Sequence, residues 1–207
     1  MPERIGLAAH DLSCRRGGRL LFQGLSFTLK PGDGLLVTGP NGAGKTSLLR
    51  QIAGLLPLAA GRLSVDGASP DAALPELCHY VGHLNGVKTS LSVRENLAFY
   101  ADFLGADAVH LGRALDAFRL APLADLPAGL LSAGQKRKLA LSRLFAVARP
   151  IWLLDEPQVS LDAPSLKLLD AAIKDHLDGG GIAVVASHTK LAAKFAHNIA
   201  LGGKQKA

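Results

Sequence analysis

The chain has few cysteines: Cys14 and Cys78 are the only two in 207 residues, and they form neither a C-x-x-C pair nor its C-x-x-C-H extension. A disulfide framework is thereby excluded, and reduced thiols in a cytosolic setting are expected. No stretch approaches the ~18 apolar residues of a spanning helix, so the chain is not expected to cross a bilayer by itself. Met1-Pro2-Glu3-Arg4 lacks the apolar run of a secretion signal, and no leader is expected. Internal repeats, heptad arrays and low-complexity tracts are also missing. Charged residues are only 19% against 48% apolar, a balance that excludes disorder and favours a buried core. A chain of this length suits one domain, or one domain with a lobe, and buries about 70% of its unfolded surface without a metal or disulfide staple. Lys and Arg number 23 against 17 Asp and Glu, a net charge of +6. That excess alone admits nucleic acid, an anionic membrane surface or a phosphate-rich ligand.

Four short apolar runs are present, each leading into polar or glycine-rich chemistry. Residues 35–37 run into Gly39, 78–81 into Gly82-His83, 151–154 into Asp155-Glu156, and 182–186 into Ser187-His188. Aliphatic runs of this length between helical stretches predict strands of a parallel sheet covered on both faces. Ligands of such sheets bind beyond the carboxyl ends of the strands, where these polar residues fall. Helices are predicted over 45–53, between Gly44 and Gly54, and over 164–177, after Asp162 as N-cap. Residues 92–147 are rich in alanine and leucine and predict a helical lobe. The first 34 residues and 61–67 predict short antiparallel strands, and the tail 202–207 is expected to fray.

Gly39-Pro40-Asn41-Gly42-Ala43-Gly44-Lys45-Thr46 fits G-x-x-x-x-G-K-[ST] at every fixed position, after a strand and before a helix. The glycines let backbone N–H groups and the helix N-terminus converge on phosphate oxygens. Lys45 is expected to bridge the β- and γ-phosphates, and the Thr46 hydroxyl to ligate Mg²⁺. The 151–154 run delivers two carboxylates at a buried strand end. Such a pair suits a turn with a helix N-cap. It equally suits a Mg²⁺ held through Asp155, with Glu156 polarising the attacking water. The Lys45 loop upstream tips the balance to catalysis. His188, at the tip of the last run, is placed to sense the γ-phosphate. A further segment, Leu131-Ser132-Ala133-Gly134-Gln135, reads locally as a capping box opening a basic helix that starts Lys136-Arg137-Lys138. The same geometry, with Gly134 lacking a side chain, offers amide donors to an anion.

In the order phosphate loop, signature at 131–135, Asp155-Glu156, Ser160-Leu161-Asp162 and His188, the chain resembles the ATP-binding cassette (ABC) family over essentially its whole length. The resemblance implies an α/β P-loop NTPase with a mostly parallel core sheet, an antiparallel β flap and a helical subdomain at about 84–147, all within a single cassette spanning 1–207. It implies ATP with Mg²⁺, and a head-to-tail dimer. In that dimer Ser132, Ala133, Gly134 and Gln135 of one copy, with Asp162, face the nucleotide held by the other.

Three departures narrow the resemblance. His83 stands where the family usually has a glutamine facing Mg²⁺ and water. Cys14-Arg15-Arg16 replaces the usual aromatic, and Arg16 is expected to stack on adenine through its planar guanidinium instead. Ala133 replaces a common glycine. With Gly82-His83-x-x-Gly86-x-Lys88 and Leu91-Ser92-x-x-Glu95-Asn96-Leu97, the chain resembles the haem-exporter ATPases of cytochrome c maturation. That implies an integral membrane permease as partner and a peripheral position on the cytoplasmic face of the bacterial inner membrane. It also implies haem export, or haem release to its carrier, driven by ATP hydrolysis. Direct haem binding is not expected, since His83, His79 and Cys14 all lie in or beside nucleotide-site elements. The alternatives are another ABC exporter and a soluble ABC ATPase. A nucleic-acid ATPase is disfavoured by the single cassette and the lack of heptads, and a small-molecule kinase has no use for Ser132–Gln135. Part of the Lys136-Arg137-Lys138 charge is expected to face the other copy's nucleotide, and the rest solvent.

Overall fold

A computed structural model describes residues 4–69, 71–105, 110–188 and 191–202. The chain divides into two compact units. The first takes residues up to Gly82, then Pro150–Glu156, then Ile173 onward; the second takes His83–Arg149 and Pro157–Ala172.

In the first unit, β1 (Gly6–Arg16), β2 (Arg19–Leu29) and β4 (Ala60–Asp66) form an antiparallel sheet in the order β2-β1-β4. The expected flap is thus a three-stranded sheet. A second sheet of five strands contains β3 (Gly34–Thr38), β5 (Cys78–Val81), β6 (Ile151–Asp155), β7 (Ile182–Ala186) and β8 (His197–Ala200), ordered β5-β6-β7-β3-β8. The pairings of β5 with β6, β6 with β7, and β3 with both β7 and β8 are all parallel. The central strands β6 and β7 are buried at every position. That is why their sequences are uninterrupted aliphatic runs rather than alternations.

One face of this sheet contributes Ile151, Leu153, Ile182 and Val184 to a core shared with Leu7, Leu12 and Leu29 of the antiparallel sheet. The same core takes Leu48, Leu49 and Ile52 of helix α1 (Lys45–Ile52). Each such side chain contributes about 1.5–3 kcal/mol by leaving water. The strand β8 was not among the predicted runs. It is an edge strand with only Ile199 partly covered, so its sequence carries no aliphatic signature, and pairing with β3 alone makes it a strand.

The second unit holds α2 (Val93–Phe103), α3 (Leu111–Ala117) and α4 (Ala133–Ala146), with short 3-10 turns at Ala121–Leu123 and Ala128–Leu130. Capping boxes Ser92/Glu95 and Ser132/Gln135 start α2 and α4. Val93, Leu97, Ala101, Leu115, Phe118, Leu139 and Ala140 are fully or almost fully buried. Helix α5 (Ala163–Asp178) matches the predicted helix to within a residue at each end. Its first turn is closed by Ser165 N–H donating to Asp162 Oδ1 at 3.1 Å. Of the tail expected to fray, 203–207 lie outside the described residues. Among the described residues no helix is long and apolar enough to cross a membrane.

Candidate nucleotide site

β3 ends at Thr38 and the chain turns through 39–44 into α1. Gly39, at φ 134°, could not carry a β-carbon without colliding with the Leu201 carbonyl just past β8. The unpredicted edge strand therefore supports the loop's first residue, and Leu201 N–H donates to Thr38 O at 2.9 Å. Gly44, at φ 105°, caps α1 with no side-chain bond, and α1 has no acidic residue in its first turn. The helix end is left electropositive. A β-carbon on Gly44 would stand 3.0 Å from the Phe22 ring, so β2 packs directly on the loop.

Lys45 is buried, and its ammonium donates to Gly39 O at 2.8 Å and Pro40 O at 3.2 Å. Its third donor meets His188 Nε2 at 2.9 Å. Lysine has no acceptor, so His188 accepts through Nε2 and carries its ring proton on Nδ1. The His188 backbone N–H donates to Glu156 Oε2 at 3.2 Å, and Nε2 lies 3.3 Å from Glu156 Oε1. Glu156 has φ 47° and donates its N–H to Ala186 O of β7 at 2.8 Å. A non-glycine residue in the left-handed region costs about 1–2 kcal/mol. Its effect here is to break the alternation of β6 and turn the second carboxylate off the strand axis.

Thr46 Oγ1 donates to Asp155 Oδ2 at 2.8 Å, and Asp155, at the end of β6, is 2% exposed. A hydroxyl and a buried carboxylate make a hard-oxygen pair suited to a small divalent cation. Among the described residues no cluster of three or more His, Cys, Asp or Glu side chains could hold a metal unaided. The first unit thus brings Lys45, Thr46, Asp155, Glu156 and His188 to one edge of one sheet. Arg16 is exposed at the end of β1, opposite Arg19 across the hairpin.

In the second unit, Ser132 and Gln135 make both bonds of the predicted capping box. Ser132 N–H donates to Gln135 Oε1 at 2.8 Å, and Gln135 N–H to Ser132 Oγ at 3.2 Å. Ser132 and Ala133 are exposed. A β-carbon on Gly134 would stand 2.8 Å from Ser160 O, so its missing side chain serves a close approach within this unit. Asp162 caps α5 through Ser165, which holds its carboxyl below the usual range, and lies 3.6 Å from Lys138 Nζ. His83 is exposed at the start of this unit. The basic run departs from expectation. Arg137 is 3% exposed and turned into the unit, Lys138 faces Asp162, and Lys136 donates to Gly129 O at 3.2 Å. A Lys-Arg-Lys run carries no local signal for burial. Arg137 falls three residues after Gly134 on the same helix face, and it is the packing of residues 157–160 over that face that buries it.

The family model described as ABC transporter matches residues 22–159. A protein of Rhodopseudomonas palustris named cytochrome c biogenesis ATP-binding export protein CcmA is 50% identical over 185 residues, covering 89% of this chain and 92% of its own. The Rhodospirillum rubrum protein of the same name is 51% identical over 198 residues, covering 94% and 84%. Among solved structures, a putative ABC transporter ATP-binding protein from Pyrococcus furiosus superposes with a TM-score of 0.79 at 24% identity. It covers 95% of this chain and 97% of its own, and carries the fold alone.

Proposed function

This chain belongs to the ABC transporter family, and on that premise we propose that it is the ATP-hydrolysing subunit of a membrane complex serving c-type cytochrome biogenesis. It converts ATP and water to ADP and phosphate to drive haem export, or haem release to its carrier. The observation that carries hydrolysis is the meeting of Lys45, Thr46, Asp155, Glu156 and His188 at the carboxyl edge of the five-stranded sheet. The pathway is supported by the names of relatives near 50% identity over nine-tenths of the chain.

In this reading Gly39, Pro40, Asn41, Gly42, Ala43 and Gly44 wrap the phosphates. Lys45 gives up the Gly39 and Pro40 carbonyls to take phosphate oxygens instead. Thr46 and Asp155 would hold Mg²⁺. When bound, it would supply positive charge against the charge that develops on the phosphates. Glu156 accepts hydrogen bonding from the attacking water and polarises it. His188, once Lys45 turns to phosphate, is free to hydrogen-bond the γ-phosphate. His83 takes the place of a water-facing glutamine, and Arg16 stacks on adenine. Ser132, Ala133, Gly134 and Gln135, with Asp162, serve the nucleotide of a second copy in a head-to-tail dimer. The two units together make one cassette, with 84–147 as its helical part. An integral membrane protein is the partner, and the chain sits peripherally on the cytoplasmic face of the inner membrane. Haem is handled by that partner and not by this chain.

Glu156→Gln tests the chemistry. The variant should bind ATP and assemble as a nucleotide-trapped dimer, while phosphate release falls about 10²–10⁴-fold. Turnover at the wild-type rate would remove Glu156 as water activator. For the pathway, inactivating the gene should abolish c-type cytochromes, and an integral membrane protein should co-purify with the chain.

A further inference from the structure

Arg137 lies in the second turn of α4, and its guanidinium is almost wholly removed from solvent. A charged side chain is seldom buried unless its donors are well used. Here they reach two separate pieces of chain within the second unit. Nε donates to Pro157 O at 3.1 Å, and Nη1 donates to Asn85 Oδ1 at 3.1 Å. Pro157 follows Glu156 in the chain, and Asn85 comes two residues after His83. One planar fork, on the helix that the signature opens, thus grips the neighbours of both proposed water-handling residues.

The grip on residues 157–162 has three points along one helix face, at i, i+3 and i+4. Gly134 admits Ser160 O, Arg137 binds Pro157 O, and Lys138 faces Asp162. The segment needs holding, since Glu156 before it and Ser160 within it both adopt left-handed backbone. Such backbone persists only where its surroundings over-determine it. The other piece, residues 83–90, has neither helix nor strand, and side chains bond part of its backbone. Arg143 donates to Gly86 O at 2.7 Å with its guanidinium over the Tyr100 ring, and Asn96 bonds both the N–H and C=O of Lys88. Arg137 joins this loop to the 157–162 turn by bonds to both.

We infer that Arg137 is a positioning residue that holds the loop after His83 and the turn after Glu156 in fixed relation to the signature helix, so that ATP turnover depends on it while ATP capture does not. The inference rests on the ATPase reading above. Lysine in its place keeps the charge but cannot serve two acceptors in a fixed geometry, whereas the guanidinium fork can.

The test uses the full chain with Arg137→Lys, Asn85→Ala and the double variant. Steady-state phosphate release is followed, and ATP affinity is measured in a Glu156→Gln background. Each single variant should lower kcat about tenfold or more, with KM and ATP affinity within about twofold of wild type. The double variant should lose little beyond either single one, because both remove the same link. Unchanged kcat in Arg137→Lys beside an active wild type overturns this proposal alone. So does a parallel loss of kcat, ATP affinity and melting temperature, which would mark Arg137 as merely structural. A wild-type chain that binds ATP but releases no phosphate overturns the ATPase reading and this proposal with it.

Discussion

Acidification should destabilise this protein through one histidine remote from the phosphate loop. His176, near the end of α5, stacks on Trp152 of β6 with ring centroids 3.9 Å apart and planes 9° apart. Its Nε2 lies 3.2 Å from Ile182 O, which it bonds as a donor in the neutral ring. Gly181 closes the pocket, since a β-carbon there would collide with the imidazole. Burial pushes the His176 pKa down to about 4, from an ordinary value of 6.5. The folded state therefore resists a proton that the unfolded chain accepts. The stabilisation is complete above about pH 6.5 and declines as pH falls towards 4. A shift of this size is worth about 3 kcal/mol once both states are protonated, and about 2 kcal/mol at pH 5. His176→Phe keeps a ring against Trp152 and removes the titration. Urea unfolding followed by the fluorescence of Trp152, the chain's sole tryptophan, reads both forms. Between about pH 7.5 and pH 5 the wild type should lose about 2 kcal/mol more than the variant, a midpoint difference near 1 M urea. Equal losses in the two proteins, or an NMR titration placing His176 near 6.5, would refute the argument.

Two further outcomes follow from the phosphate loop. Lys45→Ala deletes the ammonium that meets Gly39 O, Pro40 O and His188. It should weaken ATP binding about 10–100-fold by calorimetry, the worth of a charged hydrogen bond, and unchanged affinity would contradict the cradle assignment. Gly39→Ala forces a β-carbon onto the Leu201 carbonyl at a left-handed position. It should cost about 1–3 kcal/mol and lower the melting temperature by several degrees, whereas an unaltered Tm would show that β8 does not press on the loop.

The elements legible in advance were those whose cause is local. A run such as Ile182–Ala186 is aliphatic at every position because both faces of β7 are covered, and burial on both faces leaves that mark on composition. The capping box of α4 needs only Ser132 and Gln135, three residues apart, and both of its bonds formed. The loop 39–46 declares itself because its left-handed positions 39, 42 and 44 favour glycine, and lysine and threonine close it. The edge strand β8 left no such mark. His197–Ala200 is mostly exposed and becomes a strand only by lying beside β3, which is more than 150 residues away in sequence.

Residue types and short spacings determined the fold class, the glycine-rich loop 39–46, the paired carboxylates and the capping box of α4, because covalent neighbours and helical or strand periodicity carry that information. Tertiary structure decided what no spacing encodes. Lys45 is held against His188, Thr46 against Asp155, and Arg137 turns inward from a run that reads as a solvated surface. The physical reason is that a charged group's environment is set by whichever distant segments pack around it. The same guanidinium beside Lys136 and Lys138 would be solvated on an open helix, and is buried here because Asn85 and the Pro157 carbonyl fold over it.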